Sequence, residues 1–126
     1  VKGLEKGFEG SLDRTRELAR EWKRLQVQHG IARLDAYEFQ LHTHGNANGK
    51  VKLEATLDPA AGTLVKSLAY VMRDAGFQFM CFLSAMPQMP AVSDVNSYAW
   101  ALNTSFAGPK TPKAQAVWQL IAESKP

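Results

Sequence analysis

The chain has 126 residues, of which 45% are apolar and 21% are charged, and its formal net charge is +3. This length predicts one domain, and the apolar fraction is that of a globular protein rather than of a disordered one. No run of 18 apolar residues is present, which excludes a transmembrane helix within the sequence. A single cysteine, Cys81, excludes an internal disulfide and a metal site built from several cysteines.

The first segment predicts a long amphipathic helix that ends at Gly30. Apolar side chains recur there every three or four residues, which places them along one narrow seam of a helix whose other faces are charged. The seam residues are Leu4, Phe8, Leu12, Thr15, Leu18 (or Ala19), Trp22 and Leu25. A seam of this width over roughly three heptads is typical of a short coiled coil or of a helix that lies across a sheet.

A β-hairpin is predicted to follow, from about Asp35 to Leu57. Apolar residues alternate with polar ones from Tyr37 to Thr43, and the alternation resumes at Val51 after a loop rich in glycine and asparagine. A period of two is typical of strands with one buried and one exposed face, so we interpret both segments as strands.

A capped helix is predicted after the hairpin. Asp58 suits the N-cap position, Pro59 suits the first helical position, and Gly76 suits the left-handed residue that ends a helix. The predicted buried stripe of this helix consists of Leu64, Leu68, Val71, Met72 and Ala75.

Two more strands and a closing helix complete the predicted elements. Residues 77–86 are apolar on both faces, which predicts a central strand that is covered on both sides. A loop over residues 87–97 leads to a last alternating strand over residues 98–106. Thr111 and Pro112 then begin the closing helix. Its predicted shared face consists of Ala114, Val117, Trp118 and Ile121.

The element order α-β-β-α-β-β-α predicts an α+β fold, a two-layer sandwich of the ferredoxin-like type with a long N-terminal helix. Residues 1–30 would form the amphipathic or coiled-coil helix, and residues 31–126 would form the ferredoxin-like α+β domain with its C-terminal helix. Parallel strands on either side of the central helix would need a right-handed crossover.

The segments that follow the seamed helix are ARLDAYEFQL, GKVKLEATLDPAAGTLVKSLAYVMRDAGFQF and SYAWALNTSFAG. This pattern resembles the periplasmic domains of the bitopic inner-membrane platform proteins of type IV pili and type II secretion systems, the PilN/PilO-like and GspL/GspM-like proteins. The resemblance implies a dimerising ferredoxin-like scaffold on the periplasmic side of the bacterial inner membrane. It implies membrane attachment only through a segment upstream of Val1. The loop over residues 87–97 and the closing helix have no counterpart in the pattern.

Candidate chemical groups are few. His42 and His44 share one face of their predicted strand, but Lys50 and Lys52 lie on the same face, and neighbouring cations oppose metal binding. Cys81 is in phase with apolar neighbours and is predicted to be a buried structural thiol rather than a nucleophile. We therefore predict no catalytic residue, no metal site and no cofactor.

The leading hypothesis is a non-enzymatic assembly module that pairs with a second copy or with a homologous partner. It would use the helix seam, a sheet edge and the apolar loop after the third strand. The candidate interface residues are Leu12, Leu18, Trp22, Leu25, Met86, Met89 and Val92. One alternative is a ferredoxin-like regulatory or nucleic-acid-binding domain, although Glu17 and Glu21 interrupt the basic side of the first helix and no nucleic acid is expected. A second alternative is a small enzyme or metal-binding protein that uses His42 and His44.

Overall fold

The computed structural model describes residues 4–39, 49–82 and 110–124. Within these ranges the chain forms four helices and two strands. In chain order they are α1 (Leu4–His29), β1 (Leu34–Phe39), α2 (Gly49–Leu57), α3 (Pro59–Asp74), β2 (Phe77–Phe82) and α4 (Pro112–Glu123).

The predicted long first helix is confirmed, and so is its end. Gly30 has φ +62, a left-handed conformation that suits a residue without Cβ. Its N–H donates to Val27 O at 3.3 Å, and the N–H of Ile31 donates to Gln26 O at 3.0 Å. These two bonds form a Schellman motif, which satisfies carbonyls that the helix end would otherwise leave open.

The predicted capped helix is confirmed as α3. The side chain of Asp58 accepts a hydrogen bond from Ala60 N at 2.8 Å, and this bond holds the pKa of Asp58 below its ordinary value. Gly76 follows the helix with φ +93. The buried residues differ from the predicted stripe, because α3 packs against both α1 and α4 and is therefore covered on more than one side. They are Ala61, Gly62, Leu64, Val65 and Ala69.

The closing helix is confirmed as α4, with Thr111 Oγ1 accepting from Ala114 N at 3.2 Å. Its buried face is rotated from the predicted one, since Trp118 and Ile121 are exposed whereas Ala116 is buried. A cluster of Val65, Ala116 and Val117, with Phe82 and Leu120 against it, forms a core between α3, α4 and β2.

The predicted hairpin is wrong, because residues 49–57 form α2 rather than a strand. Ala55 and Thr56 are adjacent in the sequence and are both buried, whereas Val51 and Leu57 are exposed. Adjacent buried residues do not fit the predicted hairpin strand, which would bury only one of its two faces.

β1 pairs instead with β2, and the two strands are parallel. Leu34 lies opposite Phe77 and Phe39 lies opposite Phe82, with the Phe39 and Phe82 rings edge to face at 4.9 Å. Parallel neighbours need a long crossover, which α2 and α3 supply. The register shifts between Ala36 and Phe39, so Leu34 and Phe39 are both buried although they are an odd number of positions, five, apart.

The predicted ferredoxin-like sandwich is therefore wrong. The described ranges show an α+β arrangement of four helices and one sheet of two parallel strands. The predicted coverage of the third strand on both faces also fails, since Phe79 is exposed. The predicted strand over residues 98–106 lies outside the described residues.

Candidate protein-binding groove

An open groove of about 480 Å³ lies along α1 where that helix meets the sheet and α3. We call it the α1 groove. Its lining residues are Thr15, Leu18, Ala19 and Trp22 of α1, Arg33, which precedes β1, Leu34 and Asp35 of β1, Met72 of α3, and Phe77 of β2. Most of these side chains are apolar, so the groove offers an apolar floor.

The apolar residues of α1 that line the groove differ in exposure. Ala19 is only 2% exposed, whereas Leu18 is 50% exposed and Trp22 is 55% exposed. Leu18 and Trp22 are four residues apart and so lie one above the other on the helix. Two large apolar side chains of one helix therefore remain half in water beside the apolar floor.

The polar groups of the groove are already satisfied by one another or by the backbone. Arg33 Nη2 lies 2.6 Å from Asp35 Oδ2, and Arg33 Nε donates to both oxygens of the same carboxylate. Thr15 Oγ1 donates to Ser11 O at 2.8 Å. A partner would therefore meet mainly apolar surface and one closed ion pair.

Ion pairs lie along the exposed surface of α1. Arg16 Nη1 lies 2.6 Å from Asp13 Oδ1, and Arg24 Nη2 lies 2.6 Å from Glu21 Oε1. The hydrogen bond from Arg24 holds the pKa of Glu21 below its usual value and raises the pKa of Arg24. These exposed charges keep the remainder of the helix surface hydrated.

The structure brings some of the predicted interface residues together and places others elsewhere. Leu18 and Trp22 line the groove, whereas Leu12 and Leu25 are half-buried on the same helix. Met86, Met89 and Val92 lie outside the described residues.

Sequence reasoning missed the contributions of Leu34, Met72 and Phe77 to the groove. Each of them has an apolar signal in the sequence. No local pattern shows, however, that they come together at the same side of α1.

The structure tests the prediction for Cys81 but not the one for the two histidines. The prediction of a buried Cys81 is wrong, because its thiol is exposed. The reason is that β2 is paired with β1 at an open face rather than sandwiched between two layers. His42 and His44 lie outside the described residues. Among the residues that are described, no group of three His, Cys, Asp or Glu side chains is placed to hold a metal ion.

The burial of one charged residue was not predicted from the sequence. Lys113, in the first turn of α4, is 2% exposed, and this burial lowers its pKa from 10.5 to about 8. A lysine at the start of an ordinary amphipathic helix gives no sequence signal of burial. It lies on α4, whereas the α1 groove is lined by α1, α3, the two strands and Arg33.

Over the ranges that the structure covers, none of the helices is long and apolar enough to cross a membrane. Comparison of the chain with protein-family models, with curated proteins and with solved structures finds no match in any of the three. The functional conclusion therefore depends on the geometry of the α1 groove.

Proposed function

We propose that this chain is a non-enzymatic assembly module whose protein-binding surface is the α1 groove. The observation that supports the proposal most directly is the half-exposure of Leu18 (50%) and Trp22 (55%) beside an apolar groove of about 480 Å³. Large apolar side chains that converge on a concave surface are typical of a protein–protein contact.

The energetics favour a helical apolar partner. Burying the exposed half of a leucine or tryptophan side chain stabilises a complex by roughly 1 kcal/mol each. Leu18 and Trp22 are spaced as anchors of a helix-in-groove contact. Because Arg33 and Asp35 form an ion pair with each other, a partner needs no charged side chain at that point of the groove.

The lining of the groove gives little support to an enzymatic role. Its one ion pair is closed, and the hydroxyl of Thr15 donates to the backbone of the preceding turn. Covalent catalysis needs a nucleophile beside a base, and the lining residues do not supply that arrangement.

The setting of this module stays a prediction that depends on the sequence resemblance. Pilus and secretion platforms use paired scaffold domains at the inner membrane, and the seamed helix α1 suits such pairing. The ferredoxin-like fold that the resemblance implied is not what the described residues form, so the resemblance now supports the setting through α1 alone.

A nucleic-acid-binding role has one observation in its favour, because Tyr37 and Phe79 are exposed aromatic side chains on paired strands. Bases stack on such aromatics. The carboxylates of Asp35 and Glu38 are exposed on the same strand as Tyr37 and oppose a phosphate backbone. A gel shift with single-stranded RNA at 50 and 200 mM salt, about the range over which phosphate contacts weaken steeply, separates the two functions.

Sedimentation velocity over a range of protein concentrations tests the assembly proposal. The wild type should associate, and Leu18→Glu combined with Trp22→Glu should shift it to monomer without loss of helical circular dichroism. Val27→Glu is the matched control, because Val27 is 72% exposed on the same helix and does not line the groove. Association that survives the double change, or that Val27→Glu weakens equally, would contradict the proposal.

A further inference from the structure

We infer that the α1 groove is occupied by α1 of a second copy of this chain, packed antiparallel. This inference rests on the proposed function and adds the identity and direction of the partner. Two observations support it: the order of the charges along α1, and the exposure of one side of the apolar seam.

The two flanks of the seam differ. Thr15 and Trp22 share one heptad position and Leu18 and Leu25 share another, so these four residues form the contact line of a two-helix pair. On one flank, Ala19 and Gln26 are seven residues apart and both buried. That flank is already covered by the protein's own body.

The other flank carries Arg14 and Glu21, which are also seven residues apart and exposed. A second helix that enters the groove must pass beside these two charges. Their signs therefore influence the direction in which it packs.

An antiparallel second copy satisfies these charges reciprocally. A two-fold axis near Leu18 lies between Arg14 and Glu21, so each arginine meets the glutamate of the other copy. In a parallel pair with the helices in register, the flank with Arg14 and Glu21 would instead face the other flank of the second copy, where Ala19 and Gln26 are buried. Arg14 and Glu21 are about 10 Å apart along the helix, so a change of direction cannot be compensated by side-chain reach.

The charge balance along the helix agrees with this direction. From Glu9 to Asp13 the helix has two carboxylates and no cation, whereas from Arg14 to His29 it has five Lys/Arg and two carboxylates. Antiparallel packing brings the acidic end of each copy beside the basic end of the other.

The test is a charge swap in the full chain, measured by sedimentation equilibrium at low ionic strength. Arg14→Glu and Glu21→Arg should each weaken dimerisation by roughly three- to ten-fold, because each creates two like-charge contacts at once. The double variant carrying both changes should return the dissociation constant to within about two-fold of wild type. Arg20→Glu changes the net charge as Arg14→Glu does, lies on the far side of α1 from the groove, and should have little effect.

The outcomes separate this inference from the function on which it rests. If Leu18→Glu dissociates the wild-type dimer but the single charge variants do not weaken it, the antiparallel arrangement is wrong and the groove remains the contact surface. Single variants that weaken without restoration by the swap also overturn the arrangement. If the wild type stays monomeric, a second copy is not the occupant. If a dimer forms and ignores Leu18→Glu, the proposed function fails with it.

Discussion

Gly62 on α3 faces the first turn of α4 at a distance that leaves no room for a side chain. A Cβ built on Gly62 would lie 2.6 Å from the backbone oxygen of Pro112 and 3.1 Å from its carbonyl carbon. The obstacle is backbone at the start of a helix that packs on α3, so it cannot move aside as a flexible side chain would. Replacing Gly62 with alanine therefore has to push α3 and α4 apart.

Two opposing effects determine the change in the free energy of unfolding. Overpacking of a close contact costs about 1–3 kcal/mol, and alanine in a helix interior is favoured over glycine by about 1 kcal/mol. We expect Gly62→Ala to lower the free energy of unfolding by about 1 kcal/mol, which is about 4 °C in Tm for a chain of this size. Gly10→Ala is the matched control, because nothing lies within 4 Å of a Cβ at Gly10.

Urea denaturation followed by circular dichroism measures both variants. The same substitution should lower the midpoint at Gly62 and raise it at Gly10, with an unchanged m-value in each. A Gly62→Ala variant at least as stable as the wild type would show that α3 and α4 do not approach this closely, and the reasoning from packing would then be refuted.

Three further predictions concern ionisable groups. Bonds from Lys66 and from Tyr70, both 2.8 Å long, hold the pKa of Glu123 below 4.5. Their stabilisation is present above about pH 4.5 and is lost as the pH falls through the lowered pKa, so Glu123→Gln should flatten urea midpoints between about pH 5 and pH 3. The pKa of Lys113 is lowered to about 8, so the unfolded chain binds the proton more strongly. Stability should therefore rise by about 3 kcal/mol from about pH 8 to 10.5, and Lys113→Met should remove that rise. The thiol of Cys81 should react with dithiobis-nitrobenzoate in the native protein within about ten-fold of its rate in urea, and a far slower native rate would show burial.

The helices with strong local signals were predictable from the sequence. Asp58 and Thr111 cap their helices through side-chain bonds within three residues, and Gly30 and Gly76 take positive φ where the pattern required them. Such signals depend on neighbours in the sequence, and tertiary structure does not change them.

The prediction for residues 49–57 was wrong because their sequence pattern fits both a strand and a helix. Val51, Leu53, Ala55 and Leu57 alternate with polar residues, yet lysine, leucine, glutamate and alanine are good helix formers. The choice is made by long-range packing, in which α2 lies against α3 and α4. Once this segment is helical, β1 has no hairpin partner and pairs with β2, so the error in one element made the predicted ferredoxin-like sandwich wrong.

The candidate site likewise has residues that the sequence predicts and residues that it does not. Leu18 and Trp22 were predictable, because a helix with one apolar seam must place them on one line. Leu34 and Phe77 were not, since they are brought to the groove by the parallel pairing of two strands that are distant in the sequence. The α1 residues that line the groove therefore follow from the local sequence pattern, whereas the residues of its floor depend on how the two strands pair.

Helix lengths show that α3 alone cannot cover the seam of α1. α1 has 26 residues and α3 has 16, which correspond to lengths of about 39 Å and about 24 Å. Even a perfectly aligned α3 would leave about 15 Å of α1 without it, which is nearly three turns. An antiparallel second copy has the same length as α1 and presents the same seam, so it fits the uncovered line along its whole extent. This match of length, seam and charge favours a second copy of α1 over a short peptide as the occupant of the groove.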